Sequence, residues 1–134
     1  MALSRVILDT DVLIDFLRNK PDARAMVAEM EKKLMIATTT VNVYELFFGA
    51  HKSNQKEKSL QATRMLLLRL PILPLTSKAA ETAGHLKAVL EAEGQSIGLG
   101  DVFIAAIALT KGYGLVTRNV DHFRKIEGLS IISL

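Results

Sequence analysis

Cysteine and tryptophan are both absent, which removes disulfides, zinc thiolates and thiol nucleophiles at once. A chain without cysteine fits a reducing compartment, and the cytoplasm is the expected location. Histidine is scarce: His51, His85 and His122 are scattered, and none has metal-ligand spacing to another on a helix. Each reads as a surface or packing residue. No long hydrophobic run exists either. Val102 to Leu109 is the longest, far short of the roughly 20 residues a bilayer needs, so no membrane partner is expected. The N-terminus reaches Asp9 and Asp11 too soon to form a signal-peptide core. No glycine-rich loop precedes a helix in the phosphate-binding pattern, and no serine sits in a nucleophile elbow.

What remains is an ordinary globular composition, 49% hydrophobic and 23% charged, over 134 residues. That length is expected to form one domain spanning 1–134. The formal net charge of +3 permits an RNA or DNA partner without requiring one.

Arg5 to Leu8 reads as a buried parallel strand, a short apolar run closed by polar residues. A helix from Asp11 to Arg18 should follow, and Pro21 with Asp22 as cap should open a second. Met35 to Ala37 is a second strand. After it comes a helix with Val43, Leu46, Phe47 and Ala50 inward and Asn42, Glu45 and Gly49 on the opposite face. Asn54 to Leu68 is a further helix whose dense end, Met65 to Leu68, exceeds one helical stripe and can meet a second subunit.

Pro71 to Leu75 is a third strand, placed at a sheet edge by its two prolines. Ser77 caps a long helix stopped by Gly94, and Asp101 to Lys111 is apolar enough for a fully buried helix. Leu115 to Thr117 and Ser130 to Ser133 complete the strands. Alternating strands and helices indicate a three-layer α/β/α sandwich with a mainly parallel, roughly five-stranded sheet.

Carboxylates gather where such a sheet binds ligands, outside the carboxyl ends of its strands. Asp9 and Asp11 end the first strand, Glu45 lies in the helix after the second, and Asp101 opens the buried helix. Asn119 and Asp121 follow the fourth strand. With strands one and four as central neighbours, all of these converge on one edge. Two like charges about 4 Å apart repel by about 1 kcal/mol in bulk water and about 4 kcal/mol at an effective dielectric near 20. Such a cluster asks for a cation, and hard oxygen ligands suit Mg²⁺ or Mn²⁺. Helix capping competes as an explanation: Asp11 can be an N-cap, Asn42 and Glu45 have capping-box spacing, and Asp101 suits a helix dipole.

Ile7-Leu8-Asp9-Thr10-Asp11 resembles the opening of PIN domains, specifically VapC-like toxins of toxin–antitoxin pairs. Thr38 to Gly49, Gly100 to Ala106 and Leu115 to Phe123 resemble their later blocks in the same order, so the similarity covers essentially the whole chain. The resemblance implies a divalent-metal endoribonuclease, usually a homodimer, inhibited by a cognate VapB-like antitoxin. It carries the acidic ligand positions onto Asp9, Glu45 and Asp101. The fourth position falls on Asn119, with Asp121 as the nearby substitute. Asp11 stands where the family often has Asn or Ser. Thr10 and Thr117 are then expected to orient carboxylates, and Arg118 and Lys52 to contact RNA phosphates. The alternative is a catalytically idle RNA- or partner-binding domain on the same scaffold. A phosphoacceptor of the receiver type is disfavoured because the third strand ends without an aspartate.

Overall fold

The computed structural model describes residues 3–134. Its elements run β1 (Arg5–Leu8), α1 (Thr10–Leu17), α2 (Pro21–Lys33), β2 (Met35–Thr39), α3 (Thr40–His51) and α4 (Lys56–Leu67). There follow β3 (Ile72–Leu73), α5 (Ser77–Ala92), α6 (Leu99–Lys111), β4 (Gly114–Thr117), α7 (Val120–Phe123) and β5 (Ile131–Ser133). The sheet is parallel throughout, in the order β3-β2-β1-β4-β5.

Side chains alternate across a strand, so β1 feeds two cores. Val6 and Leu8 face Val12, Leu13, Phe16, Val27, Met30 and Leu66 of α1, α2 and α4. Ile7 faces the other way, toward Ala79, Ala83, Leu90, Val102 and Ile104 of α5 and α6. Fully burying each such side chain contributes roughly 1.5–3 kcal/mol, more than local propensity differences. Both layers expected from the sequence are therefore present, with β1 and β4 as central neighbours. In register, Ile7 pairs with Leu115 and Leu8 with Val116.

The third strand is at an edge but shorter than the sequence suggested. Only Ile72 and Leu73 pair with β2, because Pro71 and Pro74 have no N–H to extend the ladder. Helix starts also differ. Thr76, not Ser77, caps α5 by accepting from the Ala79 N–H at 3.1 Å. Lys20 is the N-cap of α2, with Pro21 as first helical residue and Asp22 inside the first turn. Helix α6 begins at Leu99, which puts Asp101 third in the helix. It ends where Gly112 turns left-handed at φ 76°, a conformation that costs glycine little. Met65 and Leu68 at the α4 end are exposed, while Leu66 between them is buried.

The switch in strand order between β1 and β4 opens a crevice at their carboxyl ends. Here β1 runs straight into α1, β2 into α3 and β4 toward α7. These three exits bring the polar residues together.

Candidate active site

Asp9 is the residue on which the site turns. Its N–H still belongs to the sheet, donating to the Val116 carbonyl at 2.9 Å. Its side chain belongs to the next element, as the N-cap of α1. The capping role foreseen for Asp11 thus falls to Asp9, whose Oδ1 accepts from the Thr10 N–H at 2.9 Å. Oδ1 also accepts from Asn42 Nδ2 at 3.1 Å, and Oδ2 accepts from the Thr117 hydroxyl at 2.7 Å. Only 4% of Asp9 is exposed. Burial pushes its carboxyl up to about 6, partly opposed by the Thr117 hydrogen bond and reinforced by the charges of Asp11 and Asp101.

Asn42 was not expected here. Helical periodicity placed it on the outward face of α3, yet it is fully buried. The capping box lies three residues earlier than the Asn42–Glu45 spacing suggested: Thr39 is the N-cap and Asn42 its partner. Thr39 Oγ1 donates to Asn42 Oδ1 at 2.6 Å, which leaves the Asn42 amide free to point at the crevice. That amide donates to Asp9 and, at 2.9 Å, to Thr10 Oγ1. Thr10 in turn donates to Glu45 Oε1 at 2.6 Å. A chain of oriented groups therefore runs Thr39–Asn42–Thr10–Glu45, and it fixes two carboxylates at once.

Helix α6 supplies the third acid. Gly100 lets that helix approach α3: a Cβ built on it would lie 3.3 Å from Glu45 Oε2. Asp101 Oδ2 lies 2.9 Å from Nδ1 of His122, a histidine that the sequence marked only as surface or packing.

The fourth side is the end of β4. The Arg118 N–H donates to Asp11 Oδ2 at 3.1 Å, and the Asn119 N–H to Thr117 Oγ1 at 3.0 Å. Burial raises the Asp11 carboxyl above its usual range. Its Oδ1 is, among the described residues, the buried side-chain polar atom left without a partner.

One open cavity of about 470 Å³ collects these groups, lined by Asp9, Thr10, Asp11, Glu45, Asp101 and Asn119 with Ile14, Tyr44 and Phe48. Three expected residues lie elsewhere or are otherwise engaged. Asp121 is exposed in α7 and paired with Arg124. The Arg118 guanidinium is bound to Asp15 and, at 3.1 Å, to Asp22, so it is not free for a phosphate. Those two partners, Asp22 first, hold it firmly protonated, and it lowers the Asp22 carboxyl. Lys52 is exposed at the end of α3 and sits over the Phe48 ring.

The donor set suits a hard divalent cation: carboxylate and amide oxygens, no sulfur, and an unsatisfied buried oxygen. Among the described residues no three acidic or histidine side chains already form a closed cage. Glu45 Oε1 is held by Thr10 and Asp101 Oδ2 by His122, which orients both carboxylates and leaves the second oxygen of each outside these bonds.

A family model described as the PIN domain matches residues 6–129. Ribonuclease VapC2 of Haemophilus influenzae is 32% identical over 126 residues, covering 93% of this chain and 94% of its own. The tRNA(fMet)-specific endonuclease VapC of Shigella flexneri is 31% identical over 126 residues, with the same coverage. Among solved structures, VapBC2 from Rickettsia felis bound to a DNA fragment from its promoter superposes with a TM-score of 0.91 at 27% identity, covering 97% of this chain and 98% of that one.

Proposed function

Because this chain belongs to the PIN-domain family, we propose that it is a VapC-type toxin, a divalent-metal-dependent endoribonuclease inhibited by a cognate VapB-like antitoxin. The observation that carries the reading is the convergence of Asp9, Asp11, Glu45, Asp101 and Asn119 on one cavity at the switch in strand order. Its ribonuclease relatives match nearly the whole length of both chains, and its structural neighbours include toxin–antitoxin complexes. Such a nuclease works where RNA is made and used, in the cytoplasm. Met65 and Leu68 suit a homodimer contact.

Asp9, Asp101 and Glu45 would hold Mg²⁺ or Mn²⁺, with Asn119 oxygen at the fourth position, since Asn119 lines the cavity and Asp121 does not. When bound, the ion supplies Lewis-acid activation of water and charge neutralisation at the phosphate. The protein's own part is positioning. Thr117 and Asn42 clamp the two oxygens of Asp9 from opposite sides, so the carboxylate cannot rotate away from the cavity. Thr10 does the same for Glu45. Asp11 adds negative charge that would raise cation affinity, and its Oδ1 is a buried oxygen still without a donor. The cavity lining holds no serine or cysteine, and its Thr10 hydroxyl is taken up in donating to Glu45, so water is the nucleophile of this reading.

The test is cleavage of a structured RNA panel that includes tRNAs, by antitoxin-free protein with Mg²⁺, Mn²⁺ or EDTA. Ion-dependent cutting should disappear in both Asp9→Asn and Asp101→Asn. If wild type binds RNA and never cuts it at any ion concentration, the idle-domain reading replaces this one.

A further inference from the structure

Helix α3 carries more into the cavity than Glu45. Tyr44, Phe48 and Lys52 recur at intervals of four and so stand in one row along the helix. The two rings lie 6.2 Å apart, inclined by 25°, and the Lys52 ammonium lies 5.1 Å from the centre of the Phe48 ring. Tyr44 is 66% exposed and Phe48 54%, although Leu46 and Ala50 of the same helix are buried. Two adjacent aromatic rings left in water are unusual enough to need a reason. Their position supplies one, since both line the cavity that holds the carboxylates.

We propose that Tyr44 and Phe48 form a stacking platform for RNA bases beside the phosphate being cut, with Lys52 receiving the next phosphate along the strand. The inference rests on the nuclease reading above. An RNA strand entering this cavity meets Asp9, Asp11, Glu45 and Asp101, all of one charge sign with its own backbone. An ion can offset that at one phosphate but gives no hold on the flanking nucleotides. The guanidinium of Arg118, whose backbone N–H reaches Asp11, is taken by Asp15 and Asp22. Stacking needs no charge and accepts any base, because every base has a π-face. Lys52 is held where it is only by an exposed cation–π contact, weak enough for a phosphate to displace. The row is thus continuous from the reacting phosphate outward, first aromatic and then basic.

Short stem-loop RNAs that wild type cuts would be remade with an abasic residue at each position flanking the cut. In wild type, one or two of these should lower kcat/KM by between about fivefold and about 150-fold, the range for one lost base–aromatic stack. The double variant Tyr44→Ala, Phe48→Ala should lose as much on the intact RNA and become indifferent to the abasic positions. Phe48→Trp should keep activity while Phe48→Leu should not. Both side chains are exposed, so an unchanged melting temperature is the control for folding. As a readout independent of catalysis, 2-aminopurine beside the cut should be quenched on binding to Asp101→Asn and not to Asp101→Asn combined with Tyr44→Ala and Phe48→Ala. Full cleavage by the double variant, or cleavage by wild type blind to abasic positions, overturns the platform and leaves the nuclease standing. If the double variant instead loses only its grip on the antitoxin, the rings serve a protein partner and the proposal is wrong. Wild type that cuts no RNA in the panel and binds no ion overturns the nuclease reading and this one with it.

Discussion

Replacing Asp9 by asparagine is expected to make the metal-free protein more stable while abolishing its activity. A buried carboxyl raised from 3.8 to about 6 binds its proton more tightly folded than unfolded. Between those two values the native state therefore holds more protons, and stability falls as pH rises, by about 1.4 kcal/mol per pH unit. The loss is complete above about pH 6 and amounts to about 3 kcal/mol. Asparagine has no charge to bury. Its Oδ1 can keep the bonds from Thr10 and Asn42, and its Nδ2 can donate to Thr117 Oγ1, which turns its proton toward Asp11 at 3.4 Å. Exchanging one hydrogen-bond geometry for another costs about 1 kcal/mol. A net gain of about 2 kcal/mol should remain at pH 7–8, shrinking to nothing or reversing below pH 4. Urea unfolding in EDTA at unit pH steps, wild type against variant, measures this directly. A difference that does not vary with pH would refute the assignment of buried charge to Asp9. Adding an ion at a hundred times its Kd should then stabilise wild type by about 2.7 kcal/mol and the variant far less.

Two further outcomes separate structural from catalytic residues. Arg118→Ala leaves Asp15 buried without its guanidinium partner, which should cost about 1–3 kcal/mol in denaturant unfolding while KM for RNA stays within twofold; a large KM rise would mean that Arg118 binds substrate after all. Gly100→Ala should cut kcat severalfold because the new Cβ presses on Glu45 Oε2, yet thermal stability should hold or rise, since alanine favours the helix by up to about 1 kcal/mol. Lost stability with unchanged kcat would reverse that reasoning.

Much of this architecture is written in local pattern. An apolar run ending in acids marks β1, a short apolar run closed by polar residues marks β4, and prolines at 71 and 74 mark the edge. The convergence of Asp9, Glu45 and Asp101 followed from strand order alone. Asn42 was illegible because its position on α3 suggests solvent, and only the closeness of β1 makes it buried. The Thr117–Asp9 bond joins residues 108 positions apart; the family resemblance pointed to Thr117 as orienting a carboxylate, but no spacing rule names Asp9 as its partner. Arg118 misled for the same reason: its partners Asp15 and Asp22 lie on α1 and α2, nearly a whole chain away. Capping positions were displaced by one to three residues, from Ser77 to Thr76 at α5 and from Asn42 to Thr39 at α3.

Threading β1 between β2 and β4 has a consequence for the growing chain. Thr117, which clamps Asp9, is synthesised 108 residues after it. At about 5–20 residues per second the interval is about 5–20 s. Throughout it the central strand lacks a neighbour and the acidic pocket lacks a wall. A nascent chain attached to a ribosome therefore cannot attack the RNA around it until β4 has been made and has joined β1.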